Sequence, residues 1–370
     1  SNKFICNIMR LVPKYIKNLS PYVPGKRIED IKINSNLGKI IKLSSNENPY
    51  GPSKKAIKII NTCFKNLHRY PDSSGFLLRK KISKIYKVNI DNVILGNGSE
   101  GIMSAIIRTF LNETDEMISS ENSFIGFRVL ANASGKKINW VKAKNYKYNL
   151  HAISDKINEN TKIIYLANPD NPTGTYFNKL NFEKFMNNVP ERTLVILDEA
   201  YFEFASHLKD YPDSMSYRFD NVITLRTFSK GYGLAGLRIG YGLAHRELIS
   251  NLMKVKLPFE PSTPAQLAAL EALNDSEHLR KTIKFNIIGI DMLIKQFDLL
   301  GLSYIDTSAN FITLIFDNYK KASYFTSFML ENGIILRSLK GFGLDNCVRI
   351  SIGTINEIKI FIKILKKYES

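Results

Sequence analysis

The sequence predicts an α/β fold on a mostly parallel central sheet, with a smaller α/β domain beside it, and three observations lead there. From about Asn92 to Arg226, short apolar runs of strand length alternate with amphipathic runs of helical period. The 370 residues are 44% hydrophobic, which supplies a large core, and single cores stop growing at roughly 250–300 residues, so the chain should divide in two. Beyond the alternating region a long helical stretch, Ser276 to Leu300, leads to a second group of strands. The expected division is an N-terminal arm with part of the small domain over residues 1–45, a large domain over 46–275 and a small C-terminal domain over 276–370.

In order, NVIL reads as a strand, GIMSAIIRTF as a helix, EMIS as a strand and FIGFRVLANA as a helix. TKIIYLA, FEKFMNNV, TLVILD and NVITLRT continue the strand and helix alternation. At Thr263-Pro264-Ala265-Gln266, Thr263 is expected to cap, Pro264 to take the first helical position and Gln266 to complete a capping box for AQLAALEAL. NFITLIF and CVRISIG read as strands of the second lobe, followed by a Lys-rich final helix. In such a sheet, ligands gather at the carboxyl ends of the strands.

Composition excludes several classes. The net charge is +18, which raises the question of nucleic acid, but the lysines are dispersed among Ile and Asn without an arginine-rich block, so a solvated basic surface is expected and no nucleic-acid role. Cys6, Cys63 and Cys347 are scattered and odd in number, which argues against a disulfide framework or a metal site and fits a reducing cytoplasm. Lys3 to Asn18 lacks a continuous apolar core and a small-residue cleavage site, so no secretory leader is expected. No run approaches the roughly 18 apolar residues of a membrane helix.

Leu95 is followed by Gly96-Asn97-Gly98-Ser99-Glu100-Gly101, a literal GxGxxG between a strand and a helix. The hexapeptide admits three readings: a dinucleotide fingerprint with Glu121 as the ribose-binding acid, a helix N-terminus whose amides hold a single phosphate, or a tight turn and nothing more.

Polar groups recur at other strand ends. Ser229-Lys230 follows VITLRTF, and Arg238 stands eight residues on, inside the small-residue run GLAGLRIG. Asp198 ends the apolar strand LVILD with Tyr201 just beyond, and Asn168-Pro169-Asp170-Asn171-Pro172-Thr173-Gly174 forms a proline-fixed turn after IIYLA. Each has an ordinary explanation as a solvated lysine, a helix cap or a turn. Together they should converge on one rim of the sheet.

These residues carry a resemblance to the fold-type I pyridoxal-phosphate aminotransferases, and within them to histidinol-phosphate aminotransferases. The matching pieces run over nearly the whole chain: PYVPGK, LSSNENPYGP, LHRYPD, GNGSEG, NPDNPTG, LDEAY, RTFSKGYGLAGLRIGYG, GIILRS and VRISIGT. The resemblance implies that Lys230 holds pyridoxal 5'-phosphate as a Schiff base and then moves a proton between substrate carbon and cofactor. It implies that Asp198 pairs with the pyridinium nitrogen, that Asn171 and Tyr201 donate to the phenolate oxygen, and that Phe124 stacks on the ring. Gly98, Ser99 and Glu100 would offer backbone amides to the phosphate, Ser229 a hydroxyl and Arg238 a charge. Under that reading the GxGxxG segment serves one phosphate, and Tyr70 of RYPD reaches the cofactor phosphate of a neighbouring subunit in a homodimer.

An arginine fork binds carboxylate or phosphate bidentately, and Arg337 and Arg349 each follow an apolar run. The resemblance implies that Arg349 takes the α-carboxylate of glutamate or 2-oxoglutarate, that both arginines hold the phosphate of histidinol phosphate, and that Tyr22 and Asn46 close the pocket. The chain departs from the family pattern at Asn122-Ser123, where proline and threonine are common, and at Asp170, where many relatives have Asn. GFGLDNCVRISIGT also resembles relatives acting on aromatic amino acids. Transamination of aromatic amino acids, phosphothreonine decarboxylation and nicotinamide-dependent oxidation stand as the competing activities.

Overall fold

The computed structural model describes residues 11–26, 28–32, 40–213 and 219–369; Cys6 and the first half of the Lys3 to Asn18 stretch lie outside them. Its strands are β1 (Ile41–Lys42), β2 (Val93–Gly96), β3 (Glu116–Ser120), β4 (Lys137–Val141), β5 (Thr161–Ala167), β6 (Leu194–Asp198), β7 (Val222–Thr227), β8 (Gly240–Leu243), β9 (Ser303–Ile305), β10 (Phe311–Ile315), β11 (Ile334–Ile335), β12 (Arg337–Ser338) and β13 (Cys347–Ser351).

Seven of them form one sheet in the order β2-β8-β7-β6-β5-β3-β4, parallel except for β8, which runs antiparallel to both β2 and β7. The apolar runs are continuous because both faces are covered. On β5, Ile163 and Tyr165 pack into one layer with Ile196, Ile223 and Phe127, while Ile164 and Leu166 point into the opposite layer with Val195, Leu197 and Phe182. Reversal of β8 brings its amino end to the edge where β5, β6 and β7 end, so residues just before Gly240 reach the same rim as residues just after Thr227.

A second core assembles Ile41 and Leu43 with Leu293, Phe297, Ile312, Phe325, Val348, Ile350 and Phe361. It packs on the antiparallel sheet β12-β13-β10-β9, with β1 and β11 paired in parallel alongside. The helix Ser276–Leu300 is capped by Asp275, whose side chain accepts from His278 N, and ends at Gly301 with φ +65°, where the amides of Gly301 and Leu302 close on Asp298 O and Phe297 O.

The capping expectation at 263–266 is corrected by one residue. Ser262 is the cap, accepting from Ala265 N, with Thr263 opening the helix Thr263–Leu273. Gln266 turns away from a capping box and donates from Nε2 to the carbonyls of Asp72 and Pro261. Serine is as good a cap as threonine, and the extended conformation of Ser262 (φ −61°, ψ 157°) settles the boundary. No described helix is long and apolar enough to cross a membrane, and no described group of three or more His, Cys, Asp or Glu could hold a metal ion. Cys63 and Cys347 are buried free thiols.

Candidate active site

A cavity of about 580 Å³ opens at the carboxyl edge of the large sheet, between it and the β12-β13 sheet. It is lined by Lys230, Asp198, Tyr201, Asn171, Ser229, Arg238, Gly98, Ser99, Glu100, Phe124, Tyr22, Asn46, Arg337 and Arg349. Of the residues expected to bind cofactor or substrate, Tyr70 lies elsewhere. It is 79% exposed, stacked on Phe259 with centroids 4.3 Å apart, in a separate depression that shares Arg238 with the first.

At the centre, the Lys230 ammonium reaches the Ser45 carbonyl at 3.2 Å and sits 5.9 Å from the Tyr201 ring centroid. Burial, then the nearby Arg349 charge, pulls its pKa down to about 8, so an appreciable share is a neutral amine near physiological pH. Across the cavity, burial pushes Asp198 up to about 7 against the hydrogen bond from Tyr165. Tyr165 donates its hydroxyl to Asp198 Oδ2 at 2.7 Å, and Asp198 Oδ1 is buried without a hydrogen-bond partner among the described residues. Such an orphaned oxygen calls for a donor supplied by a ligand.

The amino end of the helix Gly98–Phe110 forms an anion cradle. Gly98 has φ +73°, and a Cβ there would stand 2.8 Å from Arg238 Nη2. A Cβ on Gly240 would meet Ser99 N at 2.7 Å, so the small residues that flank Arg238 are what let two backbone segments close on the cradle. Ser229 Oγ accepts from Thr227, which leaves its own proton to donate. Arg238 pairs with Glu100 at 3.2 Å.

The GxGxxG ambiguity is settled by topology against the dinucleotide reading. That fold places the next parallel strand beside the glycine loop, whereas β2 here is an edge strand against antiparallel β8, and β3, which precedes Glu121, lies five positions away. Glu121 is far along the sheet, its amide bonded to Val141 O.

Toward the second sheet, Arg349 is buried and anchored: Nη1 donates to Asn171 Oδ1 at 2.5 Å and Nη2 to Ser44 O at 2.8 Å. Burial draws its pKa down to about 10, still cationic at neutral pH. Asn46, held at φ +56° by bonds with Ser351 and Asn310, donates to the Tyr201 hydroxyl at 3.0 Å. Gly126 makes room for Phe124, whose ring atoms lie 2.4 Å from where a Cβ would stand.

Two contributors went unread in the sequence. Tyr165 sits within the apolar strand TKIIYLA, where it looks like a core aromatic; its ring does stack on Phe127, centroids 4.2 Å apart. Phe342 lines the cavity between the two arginines. The departures at Ser123 and Asp170 are one contact, Ser123 Oγ donating to Asp170 Oδ1 at 2.7 Å, which ties the loop of Phe124 to the loop of Asn171.

Comparison with known proteins follows the same lines. The family described as aminotransferase class I and II matches residues 38–365. The chain is 38% identical over 364 residues to histidinol-phosphate aminotransferase 2 of Carboxydothermus hydrogenoformans, covering 96% of this chain and 100% of that protein. It is 38% identical over 353 residues to histidinol-phosphate aminotransferase 1 of Nitrosococcus oceani, covering 95% of each. Among solved structures, histidinol-phosphate aminotransferase from Sinorhizobium meliloti in complex with pyridoxal-5'-phosphate matches with a TM-score of 0.88 at 25% identity, over 96% of this chain and 98% of that one. With a family match across most of its length and relatives of this identity from end to end, the chain belongs to the class I and II aminotransferases, among relatives named histidinol-phosphate aminotransferases.

Proposed function

We propose that the protein transfers an amino group reversibly between L-histidinol phosphate and 2-oxoglutarate, giving imidazole acetol phosphate and glutamate, with pyridoxal 5'-phosphate as cofactor. The observation that carries the reading is a single cavity holding a buried amine of lowered pKa, a carboxylate oxygen without a partner and two arginines on the facing wall. The names of the relatives support the substrate.

The residues fit the cofactor at both ends. Asp198 Oδ1 is the acceptor that a protonated pyridine nitrogen needs, and the amides at Ser99 and Glu100, the Ser229 hydroxyl and Arg238 suit a phosphate. When bound, pyridoxal phosphate supplies an aldehyde that captures amines and a ring that withdraws electrons from the substrate carbon. Lys230 would hold the aldehyde end and would take the proton from the amine-bearing carbon of the substrate; its pKa of about 8 suits that task. Asp198 would keep the ring nitrogen protonated, Asn171 and Tyr201 would hold the ring oxygen, and Phe124 would cover the ring face. Arg349 receives the carboxylate of 2-oxoglutarate or glutamate, and Arg337 joins it for the phosphate of histidinol phosphate. Tyr22 and Asn46 close the pocket.

The enzyme is read as a cytoplasmic homodimer, in which Tyr70 completes the phosphate site of the neighbour. The exposed apolar side chains that share its depression, Leu67 and Phe259, support a covered surface there. The domains are read as a large cofactor-binding domain over 46–275 and a small C-terminal domain over 276–370, with 1–45 as an N-terminal arm and part of the small domain. An aromatic amino acid aminotransferase is the second reading, favoured by the apolar wall of Ile125, Val129, Leu130 and Phe342. A donor panel decides: histidinol phosphate should exceed phenylalanine and tyrosine in kcat/KM with 2-oxoglutarate as acceptor, and the reverse order overturns the substrate assignment.

A further inference from the structure

We propose that Asn122 is a positioning residue that latches the turn after β12 to the cofactor side of the cavity and thereby fixes Arg337 for the substrate phosphate; this rests on the role of Arg337 given above. Asn122 Nδ2 donates to the Phe342 carbonyl at 2.7 Å, joining the loop that carries Phe124 to the turn Lys340–Phe342, 220 residues away in sequence. Gly343, at φ +76°, lets the amide in: a Cβ there would stand 2.9 Å from Asn122 Nδ2. The hydrogen bond is part-buried beside an apolar cluster that contains Ile125, Leu339, Phe342 and Leu344.

The latch matters because the two arginines are held differently. Arg349 has strong bonds to Asn171 and Ser44. Arg337 has one long hydrogen bond among the described residues, Nη2 to Val23 O at 3.4 Å, and otherwise rests between two rings, its guanidinium carbon 6.0 Å from the centroids of both Tyr22 and Phe342. The place of Arg337 therefore depends on where Phe342 is held, and Asn122 holds it. A side chain without an N–H donor, such as alanine, cannot make this contact.

The test compares the cofactor-loaded wild type with Asn122→Ala, Gly343→Ala and the double variant. Loss of a neutral hydrogen bond should raise KM for histidinol phosphate about three- to ten-fold. KM for 2-oxoglutarate, kcat and the dissociation constant of pyridoxal phosphate should stay within about twofold, because Arg349 and the phosphate cradle are anchored independently. The double variant should be no worse than Gly343→Ala alone, since Asn122→Ala has no contact left to remove there. Hydrogen–deuterium exchange should show lost protection over residues 339–344 in Asn122→Ala. Unchanged KM for histidinol phosphate, or a parallel fall in cofactor affinity, overturns the proposal. If the wild type itself fails to turn over histidinol phosphate, the functional reading fails instead, and the exchange measurement alone decides the latch: wild-type protection in Asn122→Ala overturns it.

Discussion

Tyr165→Phe isolates the contribution of one buried proton donor. The substitution keeps the ring stacked on Phe127, with 5° between the planes, and removes the hydroxyl that donates to Asp198 Oδ2 at 2.7 Å. A hydrogen bond to a charged group is worth about 1.5–3 kcal/mol, and one pKa unit is about 1.36 kcal/mol. The Asp198 carboxyl, already pushed up to about 7 by burial, should therefore climb by roughly another one to two units. Near pH 7.5 its ionised fraction falls from about three quarters to between about a fifth and about a fiftieth. Pyridoxal phosphate, which requires the ionised carboxylate opposite its ring nitrogen, should bind about four- to forty-fold more weakly. Absorbance titration of the cofactor-free protein reads this directly. Raising the pH to about 9 re-ionises the carboxylate and should shrink the deficit to about threefold or less. Unchanged affinity, or a deficit equal at both pH values, refutes the reasoning and leaves Tyr165 as packing alone.

Three other outcomes follow from buried charge. Borohydride-reducible attachment of pyridoxal phosphate to Lys230 should accelerate with pH to a midpoint near 8, because burial and Arg349 lower the amine from its ordinary 10.5; a midpoint above about 10 contradicts that environment. Asp170, raised by burial from 3.8 to about 7, favours folding below its unfolded pKa and loses that contribution as pH rises through about 7. Urea denaturation of the cofactor-free protein at about pH 4.5 and pH 8 should thus show Asp170→Asn gaining on the wild type, by up to roughly 3 kcal/mol, and a constant difference sinks the assignment. Arg226 is 0% exposed, paired with Glu199 Oε2 at 2.8 Å and lying 3.3 Å from the Phe202 ring centroid. Glu199→Ala removes that partner and leaves Asp213, at 3.3 Å, as the remaining carboxylate in ion-pair contact among the described residues, so stability in urea should fall by about 3–5 kcal/mol; a loss under about 1 kcal/mol contradicts the pairing.

Much of the site was legible because parallel strands put their carboxyl ends on one edge. Asn171, Asp198 and Lys230 each follow a continuous apolar run, and adjacent strands β5, β6 and β7 bring them together. Arg238 joins them only because β8 runs backward, and β8 itself was not read as a strand: GYGL is four residues long with two glycines, chosen for close backbone approach rather than strand propensity. Tyr165 was hidden for the opposite reason, since an aromatic inside an apolar strand carries no sign that its hydroxyl meets a carboxylate. Asn122, Ser123 and Asp170 stood out as departures from a pattern, but their partners are long-range: 220 residues separate Asn122 from Phe342 and 47 separate Ser123 from Asp170. Local periodicity contains no information about such pairs, which tertiary packing alone creates.

The central claim is that Lys230 and its surroundings perform amino transfer from histidinol phosphate. It is tested most directly by mixing the purified, cofactor-loaded enzyme with histidinol phosphate alone, with no acceptor present, and following the visible spectrum. The account predicts one equivalent of imidazole acetol phosphate per active site, loss of the aldehyde form's absorbance, and its restoration on adding 2-oxoglutarate, with none of this in Lys230→Ala. A wild-type enzyme whose spectrum and product yield stay unchanged with histidinol phosphate, or a Lys230→Ala variant that completes the cycle at full rate, contradicts it.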